Sequence, residues 1–127
     1  MSVVNVKVEY LRKMKPKYNS LEEWLENKNH IYIGRNMSVW IKGADESIWA
    51  NPYTVKKCGS VNKACLKYKK YIKKRLEEEP KLRKQLRKLK GKTLGCWCKT
   101  DKFEKNNKQK YECHGDVLLE LIELYTN

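Results

Sequence analysis

The chain has 127 residues, 40% of them hydrophobic, and a formal net charge of +14 from 29 Lys/Arg against 15 Asp/Glu. That length suits one α/β domain over 1–127 with its own core, and no apolar run approaches the roughly 20 residues of a membrane-spanning helix. Five cysteines, an odd number, and an N-terminus too weakly apolar for a secretory signal predict an intracellular protein, in the cytoplasm or nucleus and not secreted.

In chain order, VVNVKV alternates weakly and is β-branched, which predicts a first strand. YLRKMKPKY reads as a basic connector interrupted by a proline. NSLEEWLENKN opens with Ser20 and Glu23 in capping-box spacing, with Trp24 and Leu25 on an apolar face, and predicts a short helix. HIYIGR is a second strand ended at Gly34. NMSVWIKGADESIWANPYTV mixes short apolar pieces with Gly, Asp, Ser and Pro, the composition of a hairpin or an ordered loop.

From Gly59-Ser60 the period becomes helical. Val61, Ala64, Cys65, Tyr68, Tyr71, Ile72 and Leu76 recur at spacings of three and four, with lysines between them. Leu82, Leu86 and Leu89 mark a second basic helix closed by Gly91. KTLGCWC is a third strand, and HGDVLLELIELY a last helix with a broad apolar face. Alternation of strands and helices predicts a small single α/β domain with a mostly parallel sheet and flanking helices.

Charge is concentrated in the basic helical segment 56–92, which holds 16 Lys/Arg and 3 Asp/Glu. Such a segment is an electrostatic footprint for a polyanion, with Lys63, Lys67, Lys70, Lys74, Lys84, Arg87 and Lys88 as contacts. A solvated lysine face is the plainer reading.

The Cys/His strand–loop–helix, 92–126, carries the candidate chemistry. Residues two apart in a strand share a face, so Cys96 and Cys98 point one way and Trp97 the other. Cys113, His114, Gly115 and Asp116 stand where the last helix begins, and open α/β sheets collect ligands beyond the carboxyl ends of their strands. Backbone N–H groups there favour an anion and lower a thiol pKa. Gly115 would admit a ligand close to the backbone, and Asp116 suits a helix cap.

Three readings follow. In the first, a phosphate or other anion docks at the helix start, with His114 as donor or acid. His114 and Asp116 are then the acid/base candidates of an enzyme, and Cys98 or Cys113 a nucleophile. Alternatively, Cys96, Cys98, Cys113 and His114 bind zinc, in an unusual spacing. Or the cysteines are core packing and His114 is simply hydrogen-bonded.

The succession VVNV, YIGR, W-x-NP-aromatic, basic helix, GK-x-L-x-CWC and CHGDVL resembles an uncharacterised family known as domain of unknown function 4326, found in bacteria, phages and large DNA viruses. In that family the CWC and CHGD elements usually lie closer together, with a proline between them; here KTDKFEKNNKQKYE separates them. The closing strand–loop–helix is also similar to a second poorly characterised family, and that likeness implies a Rossmann-like architecture. Neither resemblance brings a reaction.

The resemblance singles out Tyr32, Gly34, Arg35, Trp49, Asn51, Pro52 and the Cys/His cluster. Arg35 is suited to clamp a phosphate. Trp49 would stack on a base or plug the core, Asn51 would read a base edge or fix a turn, and Tyr32 belongs to the core. The expectation is a nucleic-acid- or nucleotide-binding domain. The alternatives are an enzyme of phosphate or glycosidic chemistry on such ligands, and a viral protein-interaction factor.

Overall fold

A computed structural model describes residues 2–39, 41, 43–97 and 110–126. Three short strands, β1 (Ser2–Asn5), β2 (His30–Tyr32) and β3 (Thr93–Cys96), form a parallel sheet in the order β1-β3-β2. Ser2 and His30 both pair with Thr93, and the register runs on to Asn5–Cys96 and Tyr32–Gly95. β3, the last strand in sequence, therefore occupies the middle.

The connection from β1 to β2 passes across the sheet in one direction, and that from β2 to β3 returns. Right-handed crossovers running in opposite directions must lie on opposite faces. Accordingly α1 (Val8–Leu11) and α2 (Leu21–Leu25) cover one face, where Leu11, Leu21 and Trp24 pack with Val6, Tyr32 and Ala44. The other face carries α4 (Val61–Glu78), α5 (Pro80–Lys88) and α6 (His114–Thr126). There Val3, Ile33, Leu94 and Cys96 meet Tyr68, Ile72, Leu76, Leu86, Leu118 and Leu121. The fold is thus a small three-layer α/β arrangement.

Local chemistry explains the element boundaries. Ser20 Oγ accepts the N–H of Glu23 at 3.2 Å, and Glu23 reaches back to the N–H of Asn19 at 2.7 Å, a close relative of the capping box. Ser60 caps α4 in the same way, accepting from Lys63 N–H at 3.1 Å. Pro80 occupies the start of α5, where a missing N–H costs nothing. Arg83 donates from its guanidinium to the carbonyl of Leu76, clamping the α4–α5 joint.

One expectation needs adjusting, and one pair of alternatives resolves to the ordered loop. A one-turn helix, α1, begins at Val8, the last residue of the stretch expected as the first strand, and runs into the basic connector, where its Leu11 is fully buried. The stretch between β2 and α4 is an ordered loop with no strand among its described residues, followed by a one-turn helix, α3 (Val55–Cys58). Met37 N–H donates to the Ala44 carbonyl at 2.7 Å and Ser47 N–H to that of Gly34 at 3.2 Å. Among the described residues no helix is long and apolar enough to cross a membrane.

Candidate ligand cleft at the strand ends

Beyond the carboxyl ends of β2 and β3 lies a cleft of about 280 Å³. Its wall includes Gly34 and Arg35 after β2, Asn51 and Tyr53 from the loop, Ala64 and Cys65 of α4, and Trp97 after β3. Glu112, Cys113 and His114 complete it at the start of α6. Residues far apart in the sequence meet here, as the parallel sheet requires.

Each wall is held by specific bonds. Trp97 Nε1–H donates to the Tyr32 hydroxyl at 2.7 Å, and that hydroxyl donates to the Arg35 carbonyl at 2.6 Å. This relay fixes the turn on which Arg35 stands. Arg35 itself is exposed, and among the described ion pairs, Lys69–Glu120 and Arg75–Glu79, none engages it. Asn51 Oδ1 accepts the N–H of Tyr53 at 2.8 Å, so its carbonyl oxygen shapes the turn and its amide donors are the end suited to a ligand.

The start of α6 is pinned from α4. Asn62 Oδ1 accepts the N–H groups of Lys110 and Tyr111 at 2.9 and 3.3 Å, while the Tyr111 hydroxyl donates to Glu120 at 2.5 Å. Asp116 accepts the N–H of Glu112 at 3.0 Å. Asp116 is thus not the N-cap its residue type suggests: from the third position of α6 it reaches back to an N–H ahead of the helix, as the carboxylate of a capping box does, while the first-turn N–H of Gly115 goes to Cys113 Sγ.

His114 is 8% exposed. Its Nε2 lies 2.7 Å from the Ile33 carbonyl; a carbonyl only accepts, so Nε2 carries the proton and, in the neutral ring, Nδ1 does not. Burial pushes the imidazole pKa down, against the opposing pull of the Ile33 carbonyl and the Asp116 charge. Nδ1 lies 3.8 Å from Cys113 Sγ, which also accepts the Gly115 N–H at 3.3 Å. Cys113 Sγ and Cys96 Sγ are 2.7 Å apart, both residues being 1% exposed.

The folded chain therefore unites sulfur and imidazole from two separate stretches beside an open cleft. Cys98 lies outside the described residues, and with it part of the zinc set. The described members do not have zinc geometry. Two thiolates on one tetrahedral zinc, with bonds of ~2.3 Å, stand about 3.8 Å apart. Among the described residues no group of three or more His, Cys, Asp or Glu is arranged to hold a metal.

Other residues fall elsewhere. Trp49 is 3% exposed in the main core, and its carbonyl accepts the Tyr68 hydroxyl at 2.6 Å, so its ring is not offered to a base. Gly115 serves packing rather than ligand approach: an added Cβ would lie 2.7 Å from Val3 Cγ1 and 3.0 Å from Ile33 Cδ1. Lys63, Lys67, Lys70, Lys74, Lys84, Arg87 and Lys88 are all exposed on α4 and α5. The motifs did not mark Trp97, Tyr53, Cys65 or Glu112 as cleft residues. Alternation along β3 did place Trp97 opposite Cys96.

The family described as Domain of unknown function (DUF4326) matches residues 17–124. The chain belongs to that family. An uncharacterised protein of Acanthamoeba polyphaga mimivirus is 40% identical to it, over 77% of this chain and 75% of the relative. No solved structure matches. The matched DUF4326 span contains every described residue of the cleft wall, whereas β1 lies before it.

Proposed function

We propose that this protein binds nucleotides or single-stranded nucleic acid, taking one phosphate-bearing nucleotide into the cleft. What carries the reading is the meeting of Arg35, Asn51, Cys113 and His114, from three distant parts of the chain, around one 280 Å³ opening. That space is near the lower end of small-ligand pockets, roughly 300 Å³ upward, and suits a single nucleotide rather than a duplex. Arg35 supplies a planar fork of donors for phosphate. The aromatic edges of Trp97 and Tyr53 suit a base or sugar.

The charge distribution supports the same ligand class. Lys63, Lys67, Lys70 and Lys74 follow the i, i+4, i+7, i+11 pattern and form one stripe of about 16 Å along α4. The stripe starts at the turn whose Val61 and Ala64 line the cleft. A strand with one nucleotide in the cleft would lay its next phosphates along it.

Anisotropy titrations with a mononucleotide and a labelled single-stranded oligonucleotide test the proposal. Arg35→Ala is expected to weaken both by tenfold or more while leaving the melting temperature within a degree or two. Absence of binding by either ligand at low salt, or an unchanged Arg35→Ala, would overturn it.

A second reading is favoured by the approach of an unprotonated imidazole nitrogen to a thiol at the cleft wall. In it Cys113 is a nucleophile toward the bound nucleotide and His114 its base. A covalent nucleotide adduct on Cys113 in intact mass spectra supports it; no adduct and no turnover with any nucleotide tested removes it.

A further inference from the structure

Cys96 ends β3 and Cys113 immediately precedes α6, 17 positions later in the sequence. Both are thiols. Their Sγ atoms, 2.7 Å apart, are within about 0.7 Å of the ~2.05 Å of a disulfide bond. The two are not equivalent. Cys113 borders the cleft and Cys96 does not. Cys113 Sγ also accepts a backbone N–H from the first turn of a 13-residue helix and lies 3.8 Å from His114 Nδ1, a proton acceptor beside the thiol.

We infer that Cys96 and Cys113 are a reversible dithiol–disulfide couple, with the cleft as the entrance for a low-molecular-weight disulfide. The Cys113 proton passes to His114 Nδ1, and the thiolate attacks one sulfur of R–S–S–R. A Cys113–S–S–R bond forms and RS⁻ leaves. Cys96, losing its proton to that RS⁻, then attacks the Cys113 sulfur. The second RS⁻ departs and takes the proton held on His114. In sum, two protein thiols and one R–S–S–R give one protein disulfide and two RSH, and two electrons leave the protein.

Closure ties the start of α6 to the end of β3. It also takes the Cys113 thiol out of the cleft wall. Oxidation then reports on, and changes, the surface that receives the ligand; this last consequence rests on the proposed binding function, whereas the couple itself does not.

The test equilibrates the full chain in buffers of graded reduced-to-oxidised glutathione ratio, quenches by alkylation, and maps the peptides. Expected is a species lighter by two hydrogens with one midpoint and a crosslink joining Cys96 to Cys113. It should form equally in wild type and Cys98→Ser. Cys96→Ala should instead accumulate a Cys113–glutathione mixed disulfide; if that variant unfolds, the wild-type map decides alone. A crosslink between any other pair, or full alkylation of both cysteines at every ratio, overturns the inference. Oligonucleotide affinity is expected to fall about tenfold on oxidation. If the crosslink forms while neither state binds nucleotide, the binding proposal fails and the couple stands. An affinity identical in both states removes the switching role.

Discussion

His114 Nε2–H donates to the carbonyl oxygen of Ile33 at 2.7 Å, so the first residue of α6 is fastened to the residue that follows β2. The bond crosses 81 positions of sequence. It fixes both the tautomer of the imidazole and the angle at which α6 starts over the sheet.

Stability should therefore respond to acid through this ring. Burial lowers the folded-state pKa of His114 below the unfolded value of about 6.5. Above that pH both states are neutral and the contribution is intact. As pH falls from about 6.5 toward the folded value, only the unfolded chain gains the proton, and stability declines by up to about 1.4 kcal/mol per pH unit. Urea midpoints at several pH values between 7.5 and 5 should fall for the wild type. His114→Gln should start lower and fall less steeply.

Tyr68 is fully buried and donates its hydroxyl to the Trp49 carbonyl at 2.6 Å. Tyr68→Phe keeps the ring and orphans that carbonyl. A loss of about 1–3 kcal/mol is expected, measured by chemical denaturation. Tyr68 also stands edge-on to His114, with ring centroids 5.1 Å apart, so imidazole NMR shifts should move as well.

Gly95 lies in the middle strand under Trp24, and an added Cβ would sit 2.6 Å from Trp24 Cη2 and Val6 Cγ1. Both neighbours belong to a packed core layer. Gly95→Ala should cost about 2–3 kcal/mol by overpacking. A melting temperature unchanged from the wild type would show that this layer yields more than its packing implies.

For the lysine stripe, the expected signature is ionic. Replacing Lys67, Lys70 and Lys74 by Glu should weaken oligonucleotide binding and flatten its log–log salt dependence. Each phosphate no longer neutralised lowers the single-strand slope by about 0.7. Mononucleotide affinity should change little, because the cleft itself is untouched.

Much of the fold can be read from periodicity. The apolar spacing of Tyr68, Ile72 and Leu76 on α4 marks a buried face regardless of context, and the alternation around Leu94 and Cys96 marks a strand. The one-turn helix at Val8–Leu11 escapes such a reading because four residues carry no period. Trp49 shows a different limit. Whether its ring meets solvent or core is settled by Tyr68, 19 positions onward, and nothing within WANPY encodes that contact. Gly115 is hidden for the same reason: its neighbours Val3 and Ile33 come from two other strand segments. Arg35 is recognisable by its place after a strand, Cys113 and His114 by theirs at the start of a helix, and Asn51 through the W-x-NP-aromatic resemblance, whereas Glu112 and Cys65 reach the cleft only through tertiary placement.

Because β3 fills the centre of the sheet, β1 and β2 have no strand partner until the chain has been synthesised past position 96. Up to then the first two strands hold edges with nothing to pair to, a condition that invites association with other chains. Closure of the sheet thus waits on its middle strand, the last of the three in sequence. A chain cut short within α5 would display two unpaired strand edges, whereas one that includes β3 can close them.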